Sequence, residues 1–153
     1  MATKNIQFDE GFKEYTINGD ENRVIRVDTA DIALTTRAVE AQKQIDAFMK
    51  RYEDIKIKAD GTADIEEEAA IEAVKEMTDF VCGQIDYIFN SKVSDIVFNG
   101  ASPLSTRNGI ALYERFVNAM LPIIEADLKA ENKAAQKRVD KYTKQAQRFK
   151  NKL

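Results

Sequence analysis

Between Tyr87 and Glu125 two apolar runs are separated by a cluster that neither a helix nor a strand continues through, and that corner constrains everything else the chain can build. Phe89, Val93, Ile96, Val97 and Phe98 lead into Asn99-Gly100-Ala101-Ser102-Pro103. Leu104 follows, then Ser105, whose hydroxyl suits an N-cap. Ile110, Leu112, Tyr113, Phe116, Val117, Met120, Leu121, Ile123 and Ile124 then recur at helical spacing. The pattern predicts a short helix, capped by Ser91 and ending near Phe98, that turns into a long helix capped by Ser105. Pro122 lies inside the long helix, where it cannot donate to the Asn118 carbonyl, so a kink is expected between those residues.

The preceding segments supply partners for this corner. Phe12, Tyr15 and Ile17 precede Asn18-Gly19, and Val24, Ile25 and Val27 follow it, which predicts a β-hairpin within residues 6–27. Asp20, Glu21 and Asn22 are also turn formers, so a loop longer than two residues stays open. Asp28 as N-cap and Asp31 in the first turn predict the start of a helix. Its core face is Leu34, Ala38, Ala41, Ile45, Phe48, Tyr52 and Ile55. Residues 58–62 break the pattern, and a second helix is expected from Thr62 or Asp64, with Ala70, Val74, Met77, Val81, Ile85 and Ile88 facing the core.

At 153 residues the chain is long enough for one domain with a real core. Its charge is divided: residues 1–128 hold 14 Lys/Arg against 24 Asp/Glu, and residues 129–153 hold 9 against 2. In this basic segment Ala135, Val139, Tyr142, Ala146, Phe149 and Leu153 step by four and three, an apolar stripe on a cationic helix. The expected fold is therefore mostly α. A bundle of about four helices with the N-terminal hairpin forms a domain over 1–128, and 129–153 is the basic end of a long, Pro-kinked C-terminal helix.

Enzyme chemistry finds little support. The chain has no histidine and a single cysteine, Cys82, which excludes an intrachain disulfide and Cys/His zinc sites. Cys82 flanks the apolar face of the second helix and reads as a small core residue. No G-x-S-x-G elbow surrounds Ser105, and the glycines form no phosphate-cradling loop. A calcium loop over Asp60–Glu67 would place Lys56 and Lys58 where the first oxygen ligands belong, so no metal is expected there. We expect no cofactor and no catalytic residues. The N-terminal residues lack the apolar core of a signal peptide, and no run of about 20 apolar residues could span a bilayer. A cytoplasmic protein is expected.

The basic stripe is the candidate site: Val139, Tyr142, Phe149 and Leu153, with Lys141 and Arg148 beside them. It can fold back on the acidic body or dock on a helical protein partner. A homo-oligomer is compatible with it, but a coiled coil of two tails would set like charges side by side. Nucleic acid is disfavoured by the acidic body, and a membrane surface by the scarcity of aromatic residues on the stripe.

The order of pieces carries a resemblance. Gln84-Ile85-Asp86-Tyr87-Ile88-Phe89-Asn90, Val97-Phe98, Pro103-Leu104-Ser105-Thr106, Asn108-Gly109 and Phe116-Val117-x-x-Met120-x-Pro122-x-Ile124-Glu125, with the run Lys137–Tyr142, resemble small tail assembly chaperones of tailed phages and prophages of Gram-positive bacteria. The likeness covers roughly 71–142, and its motifs are structural. It implies a non-enzymatic protein of the host-cell cytoplasm. Such a protein binds the helical tape-measure protein, keeps it soluble, and helps recruit tail-tube protein. The alternatives are a structural virion component, such as a tail-completion or connector subunit, and a small nucleic-acid-associated protein using the basic tail.

Overall fold

A computed structural model of the chain describes residues 2–51 and 67–152. Tyr52, Ile55, the break at 58–62, the start of the second helix, most of the Asp60–Glu67 stretch and Leu153 lie outside the described residues. The chain is mostly helical, with four helices among the described residues and an antiparallel two-stranded hairpin near the N-terminus.

The hairpin pairs β1 (Lys13–Ile17) with β2 (Asp20–Val27). Asn18 and Gly19 form the whole turn, with φ of 50° and 75°. Two successive left-handed residues give the turn twist that matches paired strands, and Ile17 pairs with Asp20 across it; the register then shifts, so that Thr16 pairs with Val24 and Glu21 to Arg23 bulge between the two pairs. Residues 2–12 contain no strand, which trims the expected hairpin at its start. Ile25 and Val27 point inward and are buried, while Val24 and Arg26 face outward. A lone hairpin is marginal in water; here its inner face is one wall of the core.

Helix α1 (Ala33–Lys50) starts later than the sequence suggests. Asp28 does not cap it, because its Oδ1 accepts from the Ala30 amide at 3.0 Å and closes a turn instead. Asp31 serves the helix start, its Oδ1 accepting from Ala33 N at 2.9 Å. Leu34, Ala41 and Ile45 are buried along the expected face. Helix α2 (Glu67–Phe89) buries Val81, Ile85, Ile88 and Phe89, and Phe48 of α1 stacks on Phe80 of α2 at 4.2 Å between ring centroids. Val74, expected in the core, is 42% exposed, and Ala73 is buried in its stead. The other expected residues keep to the covered side, Ala70 and Met77 half-buried and Val81, Ile85 and Ile88 buried.

The corner forms with different caps from those expected. Helix α3 (Ser94–Phe98) receives no cap from Ser91. Asp86, one turn before the end of α2, accepts from the amides of Val93 at 2.9 Å and Ser94 at 2.8 Å, and from Ser94 Oγ at 3.1 Å. A carboxylate from the preceding helix can satisfy two amides at once, which a short hydroxyl at Ser91 cannot. Asn99 and Gly100, with φ of 49° and 86°, end α3 in the left-handed region.

Ser105 does not cap the long helix either. Thr106–Arg107 (β3) and Ile110–Ala111 (β4) pair around a second Asn-Gly turn, Asn108-Gly109, with φ of 54° and 77°. Ile110 is consequently on a strand and 40% exposed rather than on the helix. Helix α4 (Leu112–Asn151) begins after this small hairpin. Its first amides donate to main-chain carbonyls, Leu112 N to Ser105 O at 2.9 Å and Tyr113 N to Pro103 O at 3.0 Å.

Tyr113, Met120 and Ile124 of α4 are buried against the core, and Phe116 meets Phe89 and Phe98 at centroid distances of 5.3 and 6.4 Å. The helix runs unbroken through Pro122. Asn118 and Pro122 are both exposed, so the carbonyl that loses its intrahelical donor faces water.

Candidate partner-binding surface

Two arginines and one aspartate lock the elements from which α4 departs. Arg37 of α1 donates to the Ile88 carbonyl at the end of α2 at 3.0 Å and to Asp31 at 2.7 Å. Arg23 of β2 donates through Nε to the Ile96 carbonyl at 3.0 Å and through Nη2 to the Val97 carbonyl. Each places a cation at the negative end of a helix whose last carbonyls lack amide donors. The Arg37 guanidinium holds the Asp31 carboxyl below its usual value.

On α4 itself, Asp127 is the anchor. Thr29 Oγ1 donates to Asp127 Oδ2, Tyr15 hydroxyl and Thr29 Oγ1 lie 3.1 Å apart, and Lys13 Nζ donates to Asp127 Oδ1 at 2.9 Å. Thr29 is fully buried. The Thr29 hydroxyl bond, followed by the Lys13 ammonium, lowers the Asp127 pKa, and the same contact raises that of Lys13. The network ties α4 to β1 and to the turn before α1. Nothing in the spacing of Lys13, Tyr15, Thr29 and Asp127 signals it, since only the docking of α4 across the hairpin brings them together.

One residue after this anchor the helix leaves the body. Leu128 is the last residue with partial cover, and every described residue from Lys129 to Lys152 is exposed. At about 1.5 Å per residue, the free part of α4 extends for roughly 35 Å. Of the two readings open for this segment, folding back on the body is not the one found: α4 continues as one helix past its core contact, and its described residues from Lys129 onward are all exposed.

The stripe on the free segment continues the buried face of the same helix. Val117, Met120, Ile124 and Leu128 step by three and four toward Glu131, Ala135, Val139, Tyr142, Ala146 and Phe149. The first part of that row lies in the core, and the second part lies open: Val139 is 55% exposed, Tyr142 58% and Phe149 67%. Of the six candidate residues, Leu153 lies outside the described ones. Lys141 and Arg148 share a shallow groove with Lys137 and Lys144, beside Asp140 and Gln145. Arg138 lies nearest the stripe, its guanidinium 5.7 Å from the centre of the Tyr142 ring. The free helix therefore shows an apolar row on one side and a cationic ridge on another.

The remaining surface offers less chemistry. A groove between β1 and α4 is lined by Tyr15, Ile17, Phe116, Met120 and Ile123, with Arg115 at its edge donating to the Ser105 carbonyl at 3.2 Å. Cys82 is half-buried against the core, and burial pushes its thiol pKa up. Among the described residues no cluster of three or more His, Cys, Asp or Glu could hold a metal ion, and no described helix is long and apolar enough to cross a membrane. Comparison with protein-family models, with curated proteins and with solved structures finds no match to this chain.

Proposed function

We propose that this chain works by binding protein rather than by catalysis, as a tail assembly chaperone of the phage type, and that its client is the helical tape-measure protein. The observation that carries the proposal is the free segment of α4, a helix whose core-type apolar row is left uncovered from Ala135 onward. Apolar surface held in water at this length on a rigid helix suits a partner's amphipathic helix. The row takes up the client's apolar stripe, and the cationic residues around it meet acidic positions on the client and keep the complex soluble. The resemblance over residues 71–142 supports the same reading and adds tail-tube protein as a second partner, with host cytoplasm as the place of action.

The test is co-expression of a phage tape-measure protein with the full chain and with a version ending at Ala130. The described residues beyond Ala130 are all exposed and contribute nothing to the buried core, so the shortened chain should keep its fold. Soluble complex with the full chain and none with the shortened one is the expected result. Complex with both would move the client site to the body. Complex with neither, together with retention of the chain in purified particles, would favour a structural virion component.

A further inference from the structure

A second uncovered apolar row lies on α2, and its charge is opposite to that of the free helix. Ile71, Val74, Thr78, Val81, Ile85 and Ile88 step by three and four along one heptad seam. The last three are buried in the core, whereas Ile71 is 51% exposed and Val74 42%. Residues 67–79 carry Glu67, Glu68, Glu72, Glu76 and Asp79 against one basic residue, Lys75, which lies on the flank of the seam. The free part of α4 carries the same heptad spacing at Val139, Tyr142, Ala146 and Phe149, with Arg138 and Lys150 flanking it. Within one chain the two rows stay apart, because the free segment is exposed throughout.

We infer that the free segment of α4 docks on the N-terminal half of α2 in a second copy of this chain, and that the exchange is reciprocal, closing a two-fold dimer. Three properties support a second copy as the occupant. The heptad rows allow knobs of one helix to enter holes of the other at the shallow crossing typical of such seams. The lengths match: residues 67–79 span about 20 Å and 139–149 about 16 Å of helix. The charges are complementary here, whereas two tails packed together would set Arg138, Lys150 and Lys152 against their own kind.

Interface size decides for reciprocity. One short helix pair falls below the roughly 1,200–2,000 Å² of a stable interface, and two such pairs related by a two-fold axis bring the total into that range. The inference goes beyond client binding and does not depend on it. Where the proposed function also holds, a client would have to displace the second copy from the stripe.

The experiment is light scattering on size-separated full chain, with two charge-reversed variants. One is Arg138→Glu with Lys150→Glu, and the other Glu68→Lys with Glu72→Lys; all four positions are exposed, and circular dichroism checks the fold. The wild type should be a dimer at about 100 µM. A tenfold rise in salt, which shortens the Debye length about threefold, should weaken it at least tenfold. Each variant alone should be monomeric. An equimolar mixture should return to dimer, since each tail then meets an α2 of opposite sign. A wild type that stays monomeric, variants that still dimerise, or a mixture that stays monomeric would each overturn the inference. Client binding by a monomeric chain would leave the proposed function standing.

Discussion

Replacing Asp86 with alanine should unfasten the corner on which the fold turns. Its carboxylate holds the amides of Val93 and Ser94 and the Ser94 hydroxyl, and both of those residues are buried. Alanine leaves two amides without an acceptor in places that water reaches poorly, at about 1–3 kcal/mol each. Some of this is offset. Alanine is the better helix former by roughly 0.5 kcal/mol, and removing an anion near the negative end of α2 returns a few tenths.

The net loss is about 1–5 kcal/mol, and for a chain of this size that corresponds to a fall in Tm of roughly 3–20 °C. Thermal unfolding followed by circular dichroism measures it, with Ser91→Ala as the comparison. Ser91 caps nothing in α3, so its change should stay within about 0.5 kcal/mol. Asp86→Asn, which keeps one acceptor oxygen but no charge, should fall between. A drop below about 2 °C for Asp86→Ala, or an equal drop for Ser91→Ala, would refute the assignment of the cap.

Acid should loosen the attachment of α4. The folded-state pKa of Asp127 is lowered chiefly by the Thr29 hydroxyl and then by Lys13, so this stabilisation is present above the ordinary carboxylate value and is lost below about pH 4 as the pH falls through the depressed one. Asp31 adds to the same acid-side loss through Arg37. Asp127→Asn should therefore flatten the acid limb of a Tm-against-pH profile, and an unaltered profile would count against the network. Two glycines should respond in opposite directions: Gly19→Ala at φ 75° should destabilise by about 1–2 kcal/mol, whereas Gly83→Ala, exposed inside α2 with nothing near its added methyl, should stabilise by roughly 0.5–1 kcal/mol. Denaturant midpoints would show both, and equal signs would contradict the turn assignment. Ile85→Ala should lose about 2–5 kcal/mol, while Phe149→Ala should leave Tm within about 2 °C; a large loss at Phe149 would mean that the free helix packs on the body after all.

Much of this architecture is legible in local chemistry. Asn18-Gly19 determined a hairpin turn because two adjacent residues that accept left-handed angles suffice to form one. The spacing of Leu34, Ala41 and Ile45, and of Val81, Ile85 and Ile88, determined two amphipathic helices, since a period near 3.6 leaves one face for a core. The same rule marked Val139, Tyr142 and Phe149 as an apolar row among cations. Asn108-Gly109 bears the same turn signal as Asn18-Gly19, but the strong helical spacing on either side of it masked a hairpin of only two residues per strand.

Tertiary structure alone decided which of these faces would be covered. Periodicity identifies a face that can be buried, but burial needs an opposing surface, and the body supplies one only as far as Leu128 on α4 and, near the start of α2, to Ala73 but not to Ile71 and Val74. Caps show the same division. A hydroxyl at Ser91 or Ser105 is a reasonable local choice, yet Asp86 and the carbonyls of Pro103 and Ser105 displaced it because the folded chain brought stronger or better-placed partners within reach. The Tyr15, Thr29, Lys13 and Asp127 network joins residues up to 114 positions apart. Its members acquire meaning only when α4 crosses the hairpin, because hydrogen bonds depend on position in space and sequence spacing reports position only within a single element.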